Sequence, residues 1–365
     1  MTTATRQLQE QGQSIWLDNI TRTLLATGTL RRYLDEYDVV GLTSNPTIYD
    51  RAIGASSAYD AQIAAAAASG ASSEDTFFEL ALDDLREAAD LFRPIYDHSG
   101  GDDGFVSLEV SPLLAFDAEA TTAEAKRLAA LGSRPNLFIK IPGTTEGLTA
   151  IEDVIFAGIP VNVTLLFSPE QYLAAADAYT RGIERRVEAG LAPLVASVAS
   201  LFVSRWDAFT AADLPEELRN ELGLAIGRHT FGEYCRFISS ERWQRLLAVG
   251  ARPQRLLFAS TGTKDPAASP TRYVVGLAAS ETIDTMPEET LLAAGRSTEP
   301  VRPLEVDLTA SAAALARFTA AGLDLDETAM ALQQNGATAF VTSWTSLLDR
   351  IAQKAGTTAA DIREA

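Results

Sequence analysis

Eight short apolar runs recur along the chain, each followed by a stretch with helical patterning, and this alternation limits the fold more than any other feature. The runs are SIWLDNI (14–20), VVGLTSN (39–45), FVSLEVSP (105–112), LFIKIPG (137–143), VNVTLLFS (161–168), VASVASLFVSR (195–205), RLLFASTG (255–262) and TIDTMP (282–287). Between them lie amphipathic or alanine-rich stretches such as 61–68, 118–131, 169–189 and 216–247. Strand–helix alternation predicts a parallel sheet covered by helices. Eight strands predict its closure into an α/β (β/α)8 barrel, a TIM barrel, with extra helices. The competing fold is an open doubly wound sheet. No GxGxxG follows the first run and no GxxxxGK[ST] occurs anywhere, so the nucleotide-binding versions of that fold lose their usual support.

The 365 residues, 47% of them hydrophobic, are enough for one large barrel. No interdomain linker is visible, so residues 1–365 read as a single domain. It carries helical insertions at about 51–104 and 207–254 and a C-terminal helix at about 337–353. The glycine- and acid-rich segment SGGDDG (99–104) is the stretch expected to be most flexible. A net charge of −19 argues against nucleic acid or an anionic membrane as partner, although a few local cations can still hold a phosphate-bearing metabolite. One cysteine, Cys235, excludes an internal disulfide, and two distant histidines, His98 and His229, leave no expected metal site. The start lacks a cationic–apolar leader and no apolar run is long enough to span a membrane, so the expected location is the cytoplasm.

Strands of a parallel sheet should be apolar on both faces, and here the exceptions follow strand parity. The run LFIKIPG places Lys140 in its middle. The chain has only four lysines, Lys126, Lys140, Lys264 and Lys354, and uses arginine for nearly all other cations. Arginine makes the better fixed ion pair but cannot act as an amine nucleophile. Burial favours the neutral form of an amine, and a neutral amine attacks carbonyl carbon, the first step of Schiff-base chemistry. Other runs also present polar groups near their C-terminal ends, where barrels keep catalytic residues. These are Asp18, Thr43 with Asn45, Glu109, Asn162 with Thr164, Ser200 beside Phe202, and Ser260.

Each of these positions has a plainer explanation. Lys140 can pair with a buried carboxylate for structural reasons alone. Asp18 can cap a helix beginning near Ile20. Asn45, before Pro46, can be only a turn and helix start. Thr164 and Ser200 can bond backbone and nothing more. Arg205 can be a surface residue leading into a helix, and Lys264 a solvated lysine paired with Asp265. Glu109 is hardest to dismiss, because carboxylates are seldom buried without a partner. The conjunction carries the signal: one lysine, two carboxylates and several hydroxyl and amide groups stand on different strands at compatible parity.

Together the stretches SIWLDNITR, VVGLTSNPTIYDRAI, VSLEV, NLFIKIPGTTEG, VNVTLLFS, VASLFVSRWD and FASTGTKDP resemble the transaldolase family, specifically its longer bacterial type, from about Ser14 to the C-terminal SWTSLLDRI. That family is a lysine-based class I aldolase barrel with its Schiff-base lysine on the fourth strand, where Lys140 falls. The resemblance implies a transferase that moves a dihydroxyacetone unit from sedoheptulose 7-phosphate to glyceraldehyde 3-phosphate. The products are erythrose 4-phosphate and fructose 6-phosphate, within the non-oxidative pentose phosphate pathway, and no metal or organic cofactor is needed. It implies Lys140 as nucleophile, Asp18 as acid/base at the C4 hydroxyl, and Glu109 with Thr164 as holders of a proton-shuttling water. Asn45 and Asn162, with Thr43 and Phe202 near them, would hold the dihydroxyacetone unit. Arg205, Ser200, Ser260 and Lys264 would hold phosphate.

One departure stands out: compact members carry an arginine two residues after the serine that corresponds to Ser260, and here Gly262 stands there, with Lys264 two residues further on. The rival readings are a fructose 6-phosphate aldolase-type enzyme, a specialised sugar-phosphate aldolase, and a catalytically silent barrel. The expected assembly is a monomer or homodimer.

Overall fold

A computed structural model describes residues 2–364, with side chains described from 2 to 356. Eight parallel strands appear where the apolar runs lie: β1 (Ser14–Asp18), β2 (Val39–Thr43), β3 (Val106–Glu109), β4 (Leu137–Pro142), β5 (Val161–Leu166), β6 (Ser197–Phe202), β7 (Arg255–Ala259) and β8 (Ile283–Met286). The sheet order is β2-β1-β8-β7-β6-β5-β4-β3. Two backbone hydrogen bonds bridge the remaining seam, Leu42 N to the Phe105 carbonyl (2.9 Å) and Gly104 N to that of Val40 (2.7 Å). The Ser44 hydroxyl adds a third, to the Ser107 carbonyl, at 2.7 Å. The fold is the expected (β/α)8 barrel.

The strands are shorter than the apolar runs at their C-terminal ends, for a local reason. Asn45 and Ser168 are N-caps whose side chains accept from Ile48 N and Gln171 N, and each is followed by proline at the first helical position. A polar cap followed by proline ends the extended segment and starts the helix.

In-register partners on neighbouring parallel strands share a face. Asp18 pairs with Thr43, Glu109 with Lys140, Lys140 with Asn162, Asn162 with Val198, and Ser200 with Leu257. One continuous lumen face therefore carries the polar positions. Its lower part is an aromatic plug. Trp16 packs on Phe138 (centroids 6.1 Å apart), and Phe138 stacks on Phe105 at 4.1 Å. A Cβ at Gly41 would lie 2.6 Å from the Trp16 ring, so only glycine leaves room for the indole inside the barrel. Below the plug, Arg255 reaches the Ser14 hydroxyl (2.7 Å) and Asp103 (3.2 Å). Segment 99–104 is consequently tied down: Asp102 pairs with Arg252, and Asp103 accepts from Ser14, Trp16 and Arg255.

The segment 51–104 contains helices Asp60–Ala68 and Ser73–His98, and 207–254 contains Leu222–Ile238 and Glu241–Ala248. The C-terminal helix is longer than its periodicity foretold, running from Leu325 to Glu364. It packs against helix Pro46–Ala55 through Thr47–Ser343 (2.7 Å) and Arg350–Asp50 (2.6 Å), and so crosses the barrel mouth.

Candidate active site

The C-terminal ends of the strands open into a cavity of about 830 Å³. Lys140, Asp18, Thr43, Asn45, Ser200, Phe202, Arg205, Ser260 and Lys264 all line it. The other three expected residues lie just beneath. Asn162 is fully buried; its amide oxygen accepts from Ser200 at 2.7 Å and its nitrogen donates to Ser107 at 3.2 Å. Glu109 and Thr164 are buried beside β4, and among the described residues neither Glu109 oxygen nor the Thr164 hydroxyl has a hydrogen-bond partner.

Lys140 is 4% exposed. Its ammonium donates to the Ser44 carbonyl at 3.2 Å, stands 3.7 Å from Glu109 Oε2, and lies 5.9 Å from the Phe340 ring centroid. One of the amine's three donor positions is thus held by neutral backbone, which fixes its direction without committing the charge to a tight ion pair. Burial pushes the Glu109 carboxyl up to about 7, against the opposing pull of Lys140. Burial also raises Asp18, opposed by Lys140 and by the Thr43 hydroxyl, which donates to Asp18 Oδ1 at 2.7 Å. Two carboxyls with raised proton affinity in the field of a buried amine are suited to exchanging protons with a bound substrate.

Several of the plainer explanations are settled by this geometry. The helix Arg22–Ala26 is capped by Thr21, so Asp18 is not a cap. Ser200 donates to the Asn162 side chain and not to backbone. Asp265 is engaged by Asn220 and by Ala267 N, leaving Lys264 to face the cavity. Asn45 does cap its helix, yet it also lines the cavity.

Arg51, Arg205 and Lys264 line the mouth, and among the described residues none of the three pairs with a carboxylate within ion-pair distance. Arg205 lies against the Phe202 and Phe340 rings, 5.0 and 5.9 Å from their centroids. Desolvation and the like charges of Arg205 and Arg51 pull the Lys264 ammonium below its ordinary range. In a chain of net charge −19, three neighbouring unpaired cations suit an anionic group. Glu288 and Glu289 also line the cavity, with Glu288 held by Tyr33 (2.5 Å) and Asn19 (2.9 Å). Among the described residues no three His, Cys, Asp or Glu side chains cluster as a metal site, and no helix is long and apolar enough to cross a membrane.

Sequence reasoning missed Arg51, Phe340, Thr285 and the Ser44 carbonyl. Arginine is common here, so Arg51 had no compositional signal; its spacing four residues after Thr47, on the cavity face of the helix that Asn45 caps, was the only clue. Phe340 stands on a helix remote in sequence from every strand.

The class these features define is a (β/α)8 barrel with a buried amine and two buried carboxyls at the floor of a cavity whose mouth carries unpaired cations. Residues 15–351 match the Transaldolase/Fructose-6-phosphate aldolase family. The chain is 44% identical to a transaldolase of Saccharopolyspora erythraea, over 95% of this chain and 96% of that protein. It is 43% identical to a transaldolase of Thermobifida fusca (96% and 97% covered) and 41% identical to transaldolase 2 of Streptomyces coelicolor (95% and 96%). The chain belongs to the transaldolase/fructose-6-phosphate aldolase family.

Proposed function

We propose that this chain is a transaldolase of the pentose phosphate pathway. It transfers a dihydroxyacetone unit from sedoheptulose 7-phosphate to glyceraldehyde 3-phosphate and yields erythrose 4-phosphate and fructose 6-phosphate. The observation that carries this reading is the placement of Lys140: buried, backbone-anchored and 3.7 Å from a carboxyl, at the floor of a cavity whose mouth holds unpaired cations. The family covers both transaldolases and fructose 6-phosphate aldolases, and the relatives at 41–44% identity carry the transaldolase name.

In this reading the Lys140 amine adds to the ketose C2 carbonyl. Glu109 and Thr164, whose buried oxygens have no hydrogen-bond partner among the described residues, hold the water that carries protons as the carbinolamine loses hydroxide and becomes the iminium. Asp18 takes the C4 hydroxyl proton. The C3–C4 bond then breaks, its electron pair moving into the iminium as an enamine, and the aldose phosphate leaves. The enamine waits, held by Asn45 and Asn162, until the acceptor aldehyde enters and Asp18 returns the proton. The iminium supplies the electron sink, so neither metal nor organic cofactor is required.

Arg205 and Lys264, with Ser200 and Ser260, bind the substrate phosphate. Arg51 adds the third cation and makes good the missing side chain at Gly262. The chain works as one barrel unit in the cytoplasm, as a monomer or homodimer, without nucleic acid or membrane as partner. A coupled assay with sedoheptulose 7-phosphate and glyceraldehyde 3-phosphate tests the reading. Turnover of fructose 6-phosphate to free dihydroxyacetone with no acceptor dependence would replace it by the aldolase.

A further inference from the structure

The C-terminal helix does more than roof the cavity. The Gln333 amide nitrogen donates at 3.0 Å to the Gly143 carbonyl and at 3.0 Å to the Leu165 carbonyl. These carbonyls end the two adjacent strands that carry Lys140 and Thr164. Both amide hydrogens are therefore used, one on each strand.

The place where Gln333 grips is irregular. Leu165 has φ of +60°, a left-handed conformation that a leucine does not adopt without support. The β5–β6 register also breaks there: Val163 pairs with Ala199 and Leu166 with Leu201, so β5 carries one residue too many. The bulge lets Thr164 keep its hydroxyl on the lumen face while Leu166 returns to the outer face. Without the bulge, the strand would slip by one residue and turn Thr164 or its neighbour away from Lys140. The Gly143 amide also donates to the Thr164 carbonyl at 2.7 Å, so the two strand ends are knitted at the same point. The helix can come this close because residue 336 is glycine: a Cβ there would sit 2.9 Å from Leu165 Cδ2 and 3.4 Å from Arg205 Nη1.

We propose that Gln333 is a positioning residue, whose two hydrogen bonds hold the β5 bulge and thereby fix the Thr164 hydroxyl relative to the Lys140 amine. The proposal rests on the Schiff-base reading of the site. Gln333 itself touches no substrate. It makes the C-terminal helix part of the chemistry through the two strand ends it clamps.

The test is Gln333→Met, which keeps length and removes both donors. Borohydride trapping of fructose 6-phosphate on Lys140 is to be followed against time, together with kcat and KM. Adduct formation and kcat should fall about ten- to a hundredfold, the scale of a misplaced catalytic group, while KM for both sugar phosphates changes less than about twofold. Unchanged kcat, or a rise in KM alone, overturns the proposal. Gln333→Glu gives a second readout: a carboxylate offers no donor, whereas its protonated form offers one, so its activity relative to the wild type should recover as pH falls. A constant ratio across pH overturns it. A crystal structure of Gln333→Met should show Leu165 leaving positive φ, and retention of the bulge with Thr164 in place sinks the proposal whatever the kinetics. Absence of any trapped adduct in the wild type would instead strike the Schiff-base reading, leaving the bulge to be judged by the crystal structure.

Discussion

The Lys140 ammonium stands 3.7 Å from Glu109 Oε2, beyond hydrogen-bond distance, and among the described residues neither Glu109 oxygen has a hydrogen-bond partner. The carboxyl is buried and held up to about 7. It is therefore neutral below that pH and becomes a base above it. The rate of adduct formation should rise with pH through about 7, and Glu109→Gln should remove that limb and slow formation by about two to four decades, the usual contribution of a general acid or base. Rapid-quench borohydride trapping across pH 5.5–8.5 measures this. A retained limb near 7 in Glu109→Gln would move the role to another group.

Lys140→Arg keeps a positive charge beside Glu109 but presents no usable nucleophile. Turnover should fall to background, and mass spectrometry should find no borohydride-fixed adduct. In the wild type the added mass should map to the peptide containing Lys140. An adduct on Lys264 would show that the assignment is wrong.

Asp18 is raised by burial and receives the Thr43 hydroxyl at 2.7 Å. Asp18→Asn keeps an oxygen for that bond but cannot take a proton. The variant should form the Lys140 adduct at a near-normal rate and fail at C3–C4 cleavage, so trapped enzyme accumulates while erythrose 4-phosphate release stops. Normal transfer by Asp18→Asn would leave Asp18 with a positioning role only.

Outside the lumen, Asp284 is fully buried on β8; Oδ1 accepts from Thr261 at 2.9 Å and Oδ2 has no partner. Burial lifts this carboxyl from 3.8 to about 7. Below pH 4 the folded and unfolded chains both hold the proton. Between 4 and 7 only the unfolded chain releases it, so stability falls as pH rises, by at most roughly 4 kcal/mol. Asp284→Asn should therefore melt at the same temperature as the wild type near pH 4 and at a higher temperature at pH 8. Equal melting temperatures at pH 8 would mean that Asp284 is paired in solution.

Much of this molecule could be read from its residues because strand parity is a local property. Asp18, Thr43, Glu109, Lys140, Asn162 and Ser200 all disturb apolar runs at one parity, and in-register parallel pairing brings them to one lumen face. Arg51 and Phe340 were not legible in this way. They come from helices, where an arginine or an aromatic residue has many reasons to occur, and only the crossing of the C-terminal helix over helix Pro46–Ala55 puts Phe340 above Lys140. The bulge at Leu165 was hidden for the opposite reason: VNVTLL reads as unbroken strand, and its extra residue depends on a glutamine far along the chain. The ties of segment 99–104 to Arg252 and Arg255 are equally remote in sequence, and its glycine- and acid-rich composition gave no sign of them.

The three cations at the mouth make the last prediction. Arg51 is exposed, and among the described residues it forms no ion pair, while its charge is felt by Lys264. If they bind the substrate phosphate, each should contribute a charge-assisted hydrogen bond worth roughly 1.5–3 kcal/mol, or about one to two decades in kcat/KM. Arg51→Ala and Lys264→Ala should raise KM for glyceraldehyde 3-phosphate and leave the slow reaction with unphosphorylated glyceraldehyde unchanged. Because they share one anion, the double variant should depart from additivity. Calorimetric titration with inorganic phosphate gives a readout that does not depend on catalysis: affinity should fall in each variant, and more steeply in the wild type than in either as salt is raised. Folding should be little affected by Arg51→Ala, since an exposed side chain without partners is removed. An Arg51→Ala enzyme with unaltered phosphate affinity and unaltered KM would leave Arg205, Lys264 and the serines to hold the phosphate without it.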